Sequence, residues 1–120
     1  MDTELELVMI TRTRGCPFMS LARHVLDSEA IRYRELNIDN DPQARANLLE
    51  WVGFLSIPTL FVAAPGSDAP NARPEPLPAG ASPRGIDRGT MITEPKAGEL
   101  KRWLRKHGLM EPDDGEDDGF

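Results

Sequence analysis

The sequence predicts an α/β fold in which a four-stranded mixed sheet carries helices on both faces. Two strand–helix–strand steps in the first half of the chain predict parallel pairing, because such crossovers return the chain in the same direction. A hairpin of two strands and a last helix are predicted from the second half. The predicted order is strand–helix–strand–helix–strand–strand–helix, and it places the whole domain within residues 1–109.

The first strand and helix follow from an alternating pattern and a helix-start signal. Residues 4–10 alternate acidic and apolar side chains before closing on apolar ones, which is typical of a strand buried on at least one face. A polar loop follows, and Pro17 suits the first position of a helix. Apolar residues then recur at helical spacing until residues 28–30, where we expect the helix to end.

The second strand, the second helix and the third strand follow in the same way. Residues 31–38 alternate apolar and polar side chains, with one break at Arg34 and Glu35, and predict the second strand. Asp41 before Pro42 is a helix-start signal, and Gly53 suits the end of that helix. Residues 60–63 predict a short third strand.

A proline-rich stretch separates the third predicted strand from the fourth. Residues 64–85 hold six of the eleven prolines and three glycines, so we expect an irregular and partly mobile insert there. Residues 86–92 predict the fourth strand. The Thr-Glu-Pro of residues 93–95 signals the start of the last helix, and Gly108 its end.

The charge distribution separates a neutral body from an acidic tail. The 120 residues include 14 Lys and Arg against 20 Asp and Glu, and six of the acids, with no base, lie in residues 110–120. We expect this polar tail to be disordered. Residues 1–109 balance 14 acids against 14 bases and show no basic stripe, which argues against nucleic-acid binding. No run of 18 apolar residues predicts a membrane span.

The single cysteine limits which disulfides and metal sites are possible and favours one cellular compartment. One cysteine permits neither an internal disulfide nor a cysteine-based zinc site, and no other metal cluster is predicted. A single free thiol favours a reducing, cytoplasmic location. Residues 1–6 carry three acids and no base, the wrong sign for a leader sequence. We expect a monomer.

Cys16 is the candidate nucleophile because of its place between the first strand and the first helix. Backbone N–H groups of the first helical turn and the helix dipole favour an anion there. Arg12 and Arg14 lie upstream and add positive potential, and Gly15 precedes the sulfur directly. These effects favour the thiolate, which is the nucleophilic form. The alternative is a buried structural cysteine, which is common.

Three segments of the chain resemble the glutaredoxin family of the thioredoxin fold, over roughly residues 4–109. They are residues 33–39 (Tyr-Arg-Glu-Leu-Asn-Ile-Asp), residues 56–61 (Ser-Ile-Pro-Thr-Leu-Phe) and the run Cys16, Pro17, Phe18 and Met19. The resemblance implies that Cys16 is the nucleophile, that Ile57 pairs with a small thiol through its backbone, and that Pro58 is a cis proline. Either Arg12 or Arg14 could take the place of the family's lysine.

The departures from the family pattern point to its mycoredoxin-like branch. Met19 stands where the family usually has a second cysteine, so the chain resembles a monothiol type. Thr93 and Glu94 stand before the last helix in place of the glycine pair and acidic pair that hold glutathione. The resemblance implies no tightly bound cofactor and a small thiol as co-substrate, either glutathione or another such as mycothiol or bacillithiol.

The implied function is monothiol thiol–disulfide oxidoreduction through Cys16 on protein disulfides or protein–small-thiol mixed disulfides. The alternative is a thioredoxin-fold binding, adaptor or redox-sensing module without turnover. A third possibility, an iron–sulfur cluster shared by a dimer, has no positive sign in the sequence. We interpret His24 and His107 as solvated helix positions, and Trp51 and Trp103 as core residues.

Overall fold

The computed structural model describes residues 5–76 and 85–110. The predicted disordered tail falls almost wholly outside these residues. None of the described helices has the length and apolar character that crossing a bilayer requires. The elements in chain order are β1 (Glu6–Thr11), α1 (Pro17–Ser28), β2 (Arg34–Asn37), α2 (Pro42–Val52), β3 (Thr59–Ala63), β4 (Ile86–Asp87), β5 (Met91–Thr93) and α3 (Ala97–Lys106).

The strands form one mixed sheet in the order β2-β1-β3-β5-β4. β1 pairs parallel with β2 and antiparallel with β3, and β3 pairs antiparallel with β5. The predicted fold class is therefore confirmed: the molecule is a mixed α/β protein with a thioredoxin fold. The strand count was wrong, because the described sheet has five strands rather than four.

The extra strand arises because the predicted fourth strand, residues 86–92, is a hairpin. β4 and β5 pair antiparallel, and the chain reverses at Gly89, whose φ of +81° suits glycine. The Arg88 N–H donates to the Met91 carbonyl over 2.7 Å, and the Gly89 N–H donates to the Asp87 carboxylate over 2.9 Å. Residues 86–92 have apolar side chains at both ends and polar ones or glycine between, a pattern that fits one strand as well as two short strands joined by a tight turn.

The last helix fixes this hairpin turn. Trp103 Nε1 donates to the Gly89 carbonyl over 2.9 Å, and His107 Nε2 lies 2.7 Å from the same oxygen. The His107 ring also packs edge-on against Trp103, with 4.8 Å between ring centroids. His107 is half-buried, so its interpretation as a solvated position was wrong, whereas His24 is exposed as predicted.

The core consists of two apolar clusters, one on each face of the sheet. The first lies beneath α1 and α3 and includes Trp103, which is 1% exposed, as predicted for a core residue. The second lies beneath α2 and includes Met19, Leu48 and Phe61. Trp51 packs at the edge of the second cluster against the Phe61 ring, with 5.5 Å between centroids.

The described part of the proline-rich insert has no helix or strand, but it is bonded to the sheet. The Asn71 N–H donates to the Val62 carbonyl over 2.8 Å, and the Thr90 hydroxyl donates to the Ala72 carbonyl over 2.8 Å. These bonds join the insert to a core strand and to the hairpin turn. Residues 77–84 of the predicted insert lie outside the described part of the chain.

Asp41 is expected to contribute measurably to stability because it caps α2. Its carboxylate accepts a hydrogen bond from the Ala44 N–H over 3.0 Å, and Gly53 ends the helix with a φ of +87°. We expect Asp41→Ala to lower the free energy of unfolding by about 1 kcal/mol in urea titrations. Asp41→Asn keeps an acceptor oxygen and should lose much less. If both variants lose the same free energy of unfolding, the hydrogen bond from Ala44 to the side chain of residue 41 contributes nothing to stability.

Candidate active site

Cys16 is the residue that caps the N-terminus of α1. Its backbone is extended, with φ −146° and ψ 161°, and its carbonyl accepts from the N–H groups of Met19 and Ser20 over 3.1 Å each. The helix therefore begins immediately after the sulfur-bearing residue, at Pro17. Cys16 is half-buried, so its thiol is neither sealed in the core nor fully solvated.

The thiol bonds to the chain segment that carries the cis proline. Cys16 Sγ lies 3.5 Å from the Ile57 carbonyl oxygen, to which it donates, and the Ile57–Pro58 peptide bond is cis. The sequence predicted that first-turn N–H groups would point at this sulfur, but Cys16 makes no side-chain capping bond. Instead, the Met19 and Ser20 N–H groups bond to the Cys16 carbonyl, and the thiol itself donates to the Ile57 carbonyl.

Thr93 and Glu94 lie at the same end of the sheet as Pro58. Thr93 pairs with Thr59 in the β3–β5 ladder, and the Glu94 N–H donates to the Pro58 carbonyl over 2.8 Å. Glu94 adopts a φ of +43°, which is uncommon for a residue other than glycine. The structure thus brings together Cys16 and the four residues that the resemblance assigned to the small thiol.

The two arginines before Cys16 lie on the exposed loop but do not contact its sulfur. Arg12 Nε donates to the Arg14 carbonyl over 3.2 Å, and the Arg14 side chain is exposed. Neither forms a hydrogen bond to Cys16 within the described residues. Their support of a thiolate is therefore limited to the positive potential that they add to the loop.

Asp39 holds this loop in place, and the sequence analysis missed it. Its carboxylate accepts from the Thr13 N–H over 2.8 Å, while Asn37 Nδ2 donates to the Thr13 hydroxyl over 3.3 Å. The bonds from Thr13, and then the charges of Arg12 and Arg45, lower the pKa of Asp39. The sequence did contain a signal for this contact, the Asn-Ile-Asp run of residues 37–39. Because β1 and β2 pair in parallel, the residues that follow the two strands lie at the same end of the sheet.

Met19 lies in the core beneath the loop that leads to Cys16. Its side chain is 1% exposed, and its Cε lies 3.8 Å from the position that a Cβ on Gly15 would occupy. In the same helical turn Pro17 is exposed and Phe18 is half-buried, so burial increases from Pro17 to Met19. The residue that stands in place of the family's second cysteine is therefore part of the core.

Size alone does not locate the site. A cavity of about 1080 Å³ lies at the opposite end of the sheet, lined by residues such as Leu7, Tyr33 and Leu109. It contains no cysteine or histidine. Within residues 5–76 and 85–110, no cluster of three or more metal-ligating side chains occurs. The chemistry of the described residues therefore points to Cys16 rather than to this cavity.

Comparison with protein families identifies one match in the chain. Residues 8–64 match the family model described as Glutaredoxin. The matched stretch runs from β1 to the residue after β3, and it includes both Cys16 and Pro58. A search of curated proteins found no match to this chain. Residues 8–64 are thus similar to the glutaredoxin family, and this similarity, in a protein of thioredoxin fold, supports thiol–disulfide oxidoreductase chemistry in general.

Proposed function

We propose that this protein is a monothiol oxidoreductase, similar to the mycoredoxin-like branch, that reduces protein–small-thiol mixed disulfides through Cys16. One observation carries the proposal: the chain's single thiol is partly exposed at the start of α1, in contact with the backbone before the cis proline. A nucleophilic thiol must be accessible to its substrate, and this placement allows it.

The reaction consists of two exchanges. In the first, the Cys16 thiolate attacks the small-thiol sulfur of a mixed disulfide, that S–S bond breaks, and the protein thiolate leaves and takes up a proton. Cys16 now carries the small thiol. In the second, another small thiol in its thiolate form attacks the sulfur of the bound one, forms a small-molecule disulfide and releases Cys16. In the net exchange one reduced small thiol is consumed for each client, the client leaves as a thiol, and the two small-thiol sulfurs leave together as a small-molecule disulfide.

The surrounding residues suit this sequence of steps. The Ile57 carbonyl accepts from the resting Cys16 thiol, so the same backbone is close enough to pair with a small thiol attached there. Thr93 and Glu94 lie across Pro58 and are proposed to bind the far end of that thiol. Either Arg12 or Arg14 takes the place of the family's lysine and adds positive potential near the Cys16 sulfur.

An external thiol is obligatory in this scheme because Met19 replaces the second cysteine. A thioether cannot attack a mixed disulfide, so the chain cannot resolve one by itself. We propose glutathione, mycothiol or bacillithiol as the co-substrate, and a cytoplasmic monomer as the working form.

The identity of the small thiol is tested by intact-mass spectrometry of the full chain. We expect the disulfide of the cognate thiol, among the three, to add one molecule per chain at Cys16 faster than the other two. A second equivalent of the same reduced thiol should remove it. Failure of all three to react with the folded protein, while urea-unfolded protein reacts, would contradict the proposal.

The rival function is a redox-sensing or adaptor module without turnover. The altered segment before α3 and the missing second thiol favour it. Such a module would form the adduct but would not pass it on, so mixed-disulfide peptide would be consumed for one equivalent and no further. The number of equivalents of mixed-disulfide peptide consumed in the presence of excess small thiol therefore separates the two functions.

A further inference from the structure

A second cavity, of about 620 Å³, lies between the end of α2 and the described part of the proline-rich insert. None of its lining residues belongs to the Cys16 site. It is lined mainly by prolines, two arginines and an aromatic ring, including Glu50, Trp51, Pro70, Arg73, Pro74 and Arg88. The residues of this cavity have no part in the proposed thiol exchange.

Arg88 is the unusual member of this lining, because it is a buried cation. The residue is 6% exposed. Its Nε donates to the Glu75 carbonyl over 2.6 Å, and its Nη1 donates to the Trp51 carbonyl over 2.8 Å and lies 3.6 Å from Met91 Sδ. All three acceptors are neutral. Burial lowers the pKa of the Arg88 guanidinium, since removal from water disfavours its charged form.

No carboxylate of the described residues pairs with Arg88. Glu50 lines the same cavity but forms no ion pair with either arginine, and Asp87 pairs with Lys106 instead. The neighbouring residues 77–84, Leu-Pro-Ala-Gly-Ala-Ser-Pro-Arg, contain no Asp or Glu that could supply the charge. A buried charge without a counter-charge costs stability. An anion that entered this cavity would pair with the Arg88 guanidinium and remove that cost.

We propose that this cavity binds a small organic anion, with one carboxylate or phosphate joined to a flat apolar group. Arg88 Nη2 makes no hydrogen bond within the described residues and is the donor for the oxyanion, which Arg73 reaches from the exposed side. The half-buried Trp51 and Pro74 contact the apolar group. Glu50 on the same lining disfavours ligands with many negative charges, so a singly charged anion fits best.

Benzoate is the probe that tests the site, with benzyl alcohol as its uncharged analogue. In the full chain, benzoate should shift the side-chain Nε–H resonance of Arg88 saturably, and benzyl alcohol should not. It should also change the fluorescence of Trp51, because the other tryptophan, Trp103, is 1% exposed and shielded from quenching. Absence of any saturable shift up to about 10 mM benzoate, a very weak affinity, would overturn the proposal.

Variants separate the site from a general effect of anions. Arg73 is exposed, so Arg73→Gln should fold normally and weaken benzoate binding by about threefold, in the range of an exposed ion pair. Arg88→Gln should abolish binding; if it fails to fold, Arg73→Gln and the Arg88 resonance still decide. Arg32 lines the other cavity and is exposed, so Arg32→Gln is the matched control and should bind normally. Equal weakening in Arg73→Gln and Arg32→Gln would also overturn the proposal.

Discussion

Cys16→Ser is expected to reduce thiol–disulfide exchange to the uncatalysed rate. Cys16 is the single cysteine of the chain, and a serine hydroxyl is not ionised at neutral pH and forms no disulfide. The replacement removes no carbon atom, and the side chain is half-buried, so the fold should be retained. The measurement is the initial rate on a peptide mixed disulfide with added small thiol, compared with a reaction without protein.

Ser20→Ala is a suitable control for this experiment. Ser20 is exposed one turn along the same helix, so its replacement should leave the rate unchanged. Thermal unfolding of all three proteins separates loss of chemistry from loss of structure. If wild type and Cys16→Ser act at the same rate, the oxidoreductase function is wrong and a binding module remains.

The parts of the fold that the sequence predicted well depend on local signals. The bounds of α2 were predicted because Asp41 bonds to a backbone group three residues away and Gly53 adopts a left-handed turn. Both capping interactions act within one helical turn and favour particular residue types at the cap positions. The hairpin at Gly89 was missed because one glycine inside a short predicted strand is compatible with both a straight strand and a reversal.

The anchoring of the insert could not be predicted, because it uses backbone atoms. The bond from the Asn71 N–H to the Val62 carbonyl depends on no particular side chain, so residue types carry no record of it. The buried position of Arg88 is a similar case. Arginine in an exposed turn is ordinary, and only the packing of the insert against α2 removes this one from water.

The site was predictable in part, for a different reason. The place of Cys16 before a helix followed from the residues around it, but its contact with Ile57 joins positions 41 residues apart in the chain. That pairing came from the family resemblance alone. Asp39 was missed because its contact to Thr13 depends on the parallel pairing of β1 with β2, which places both residues at one edge of the sheet.

Met19→Cys is expected to convert the protein from a monothiol to a dithiol type. Residue 19 lies one turn along α1 from Cys16, where side chains three residues apart are neighbours at a distance that a disulfide can span. Under mild oxidation the variant should lose two free thiols, as counted by labelling after denaturation. Attack within the pair is intramolecular and is therefore favoured by a high effective concentration.

The variant should also gain an activity that the wild type lacks. Once reduced, it should reduce one equivalent of a protein disulfide without any small thiol, because the second cysteine resolves the mixed disulfide internally. Met19 is fully buried, so the shorter side chain is expected to destabilise the fold, by up to about 2 kcal/mol. Met19→Ser is the matched control: it loses similar volume and offers no thiol, so it should need small thiol for every turnover.

The outcome reports on the direction of the Cys16 sulfur as well as on the mechanism. In the resting structure Cys16 Sγ contacts the Ile57 carbonyl, so disulfide formation requires the side chain to leave that oxygen and turn towards α1. A variant that folds but forms no disulfide would show that the loop at Gly15 holds the sulfur on the Ile57 side. A variant that forms the disulfide but still needs small thiol would show that the second cysteine does not resolve the mixed disulfide internally.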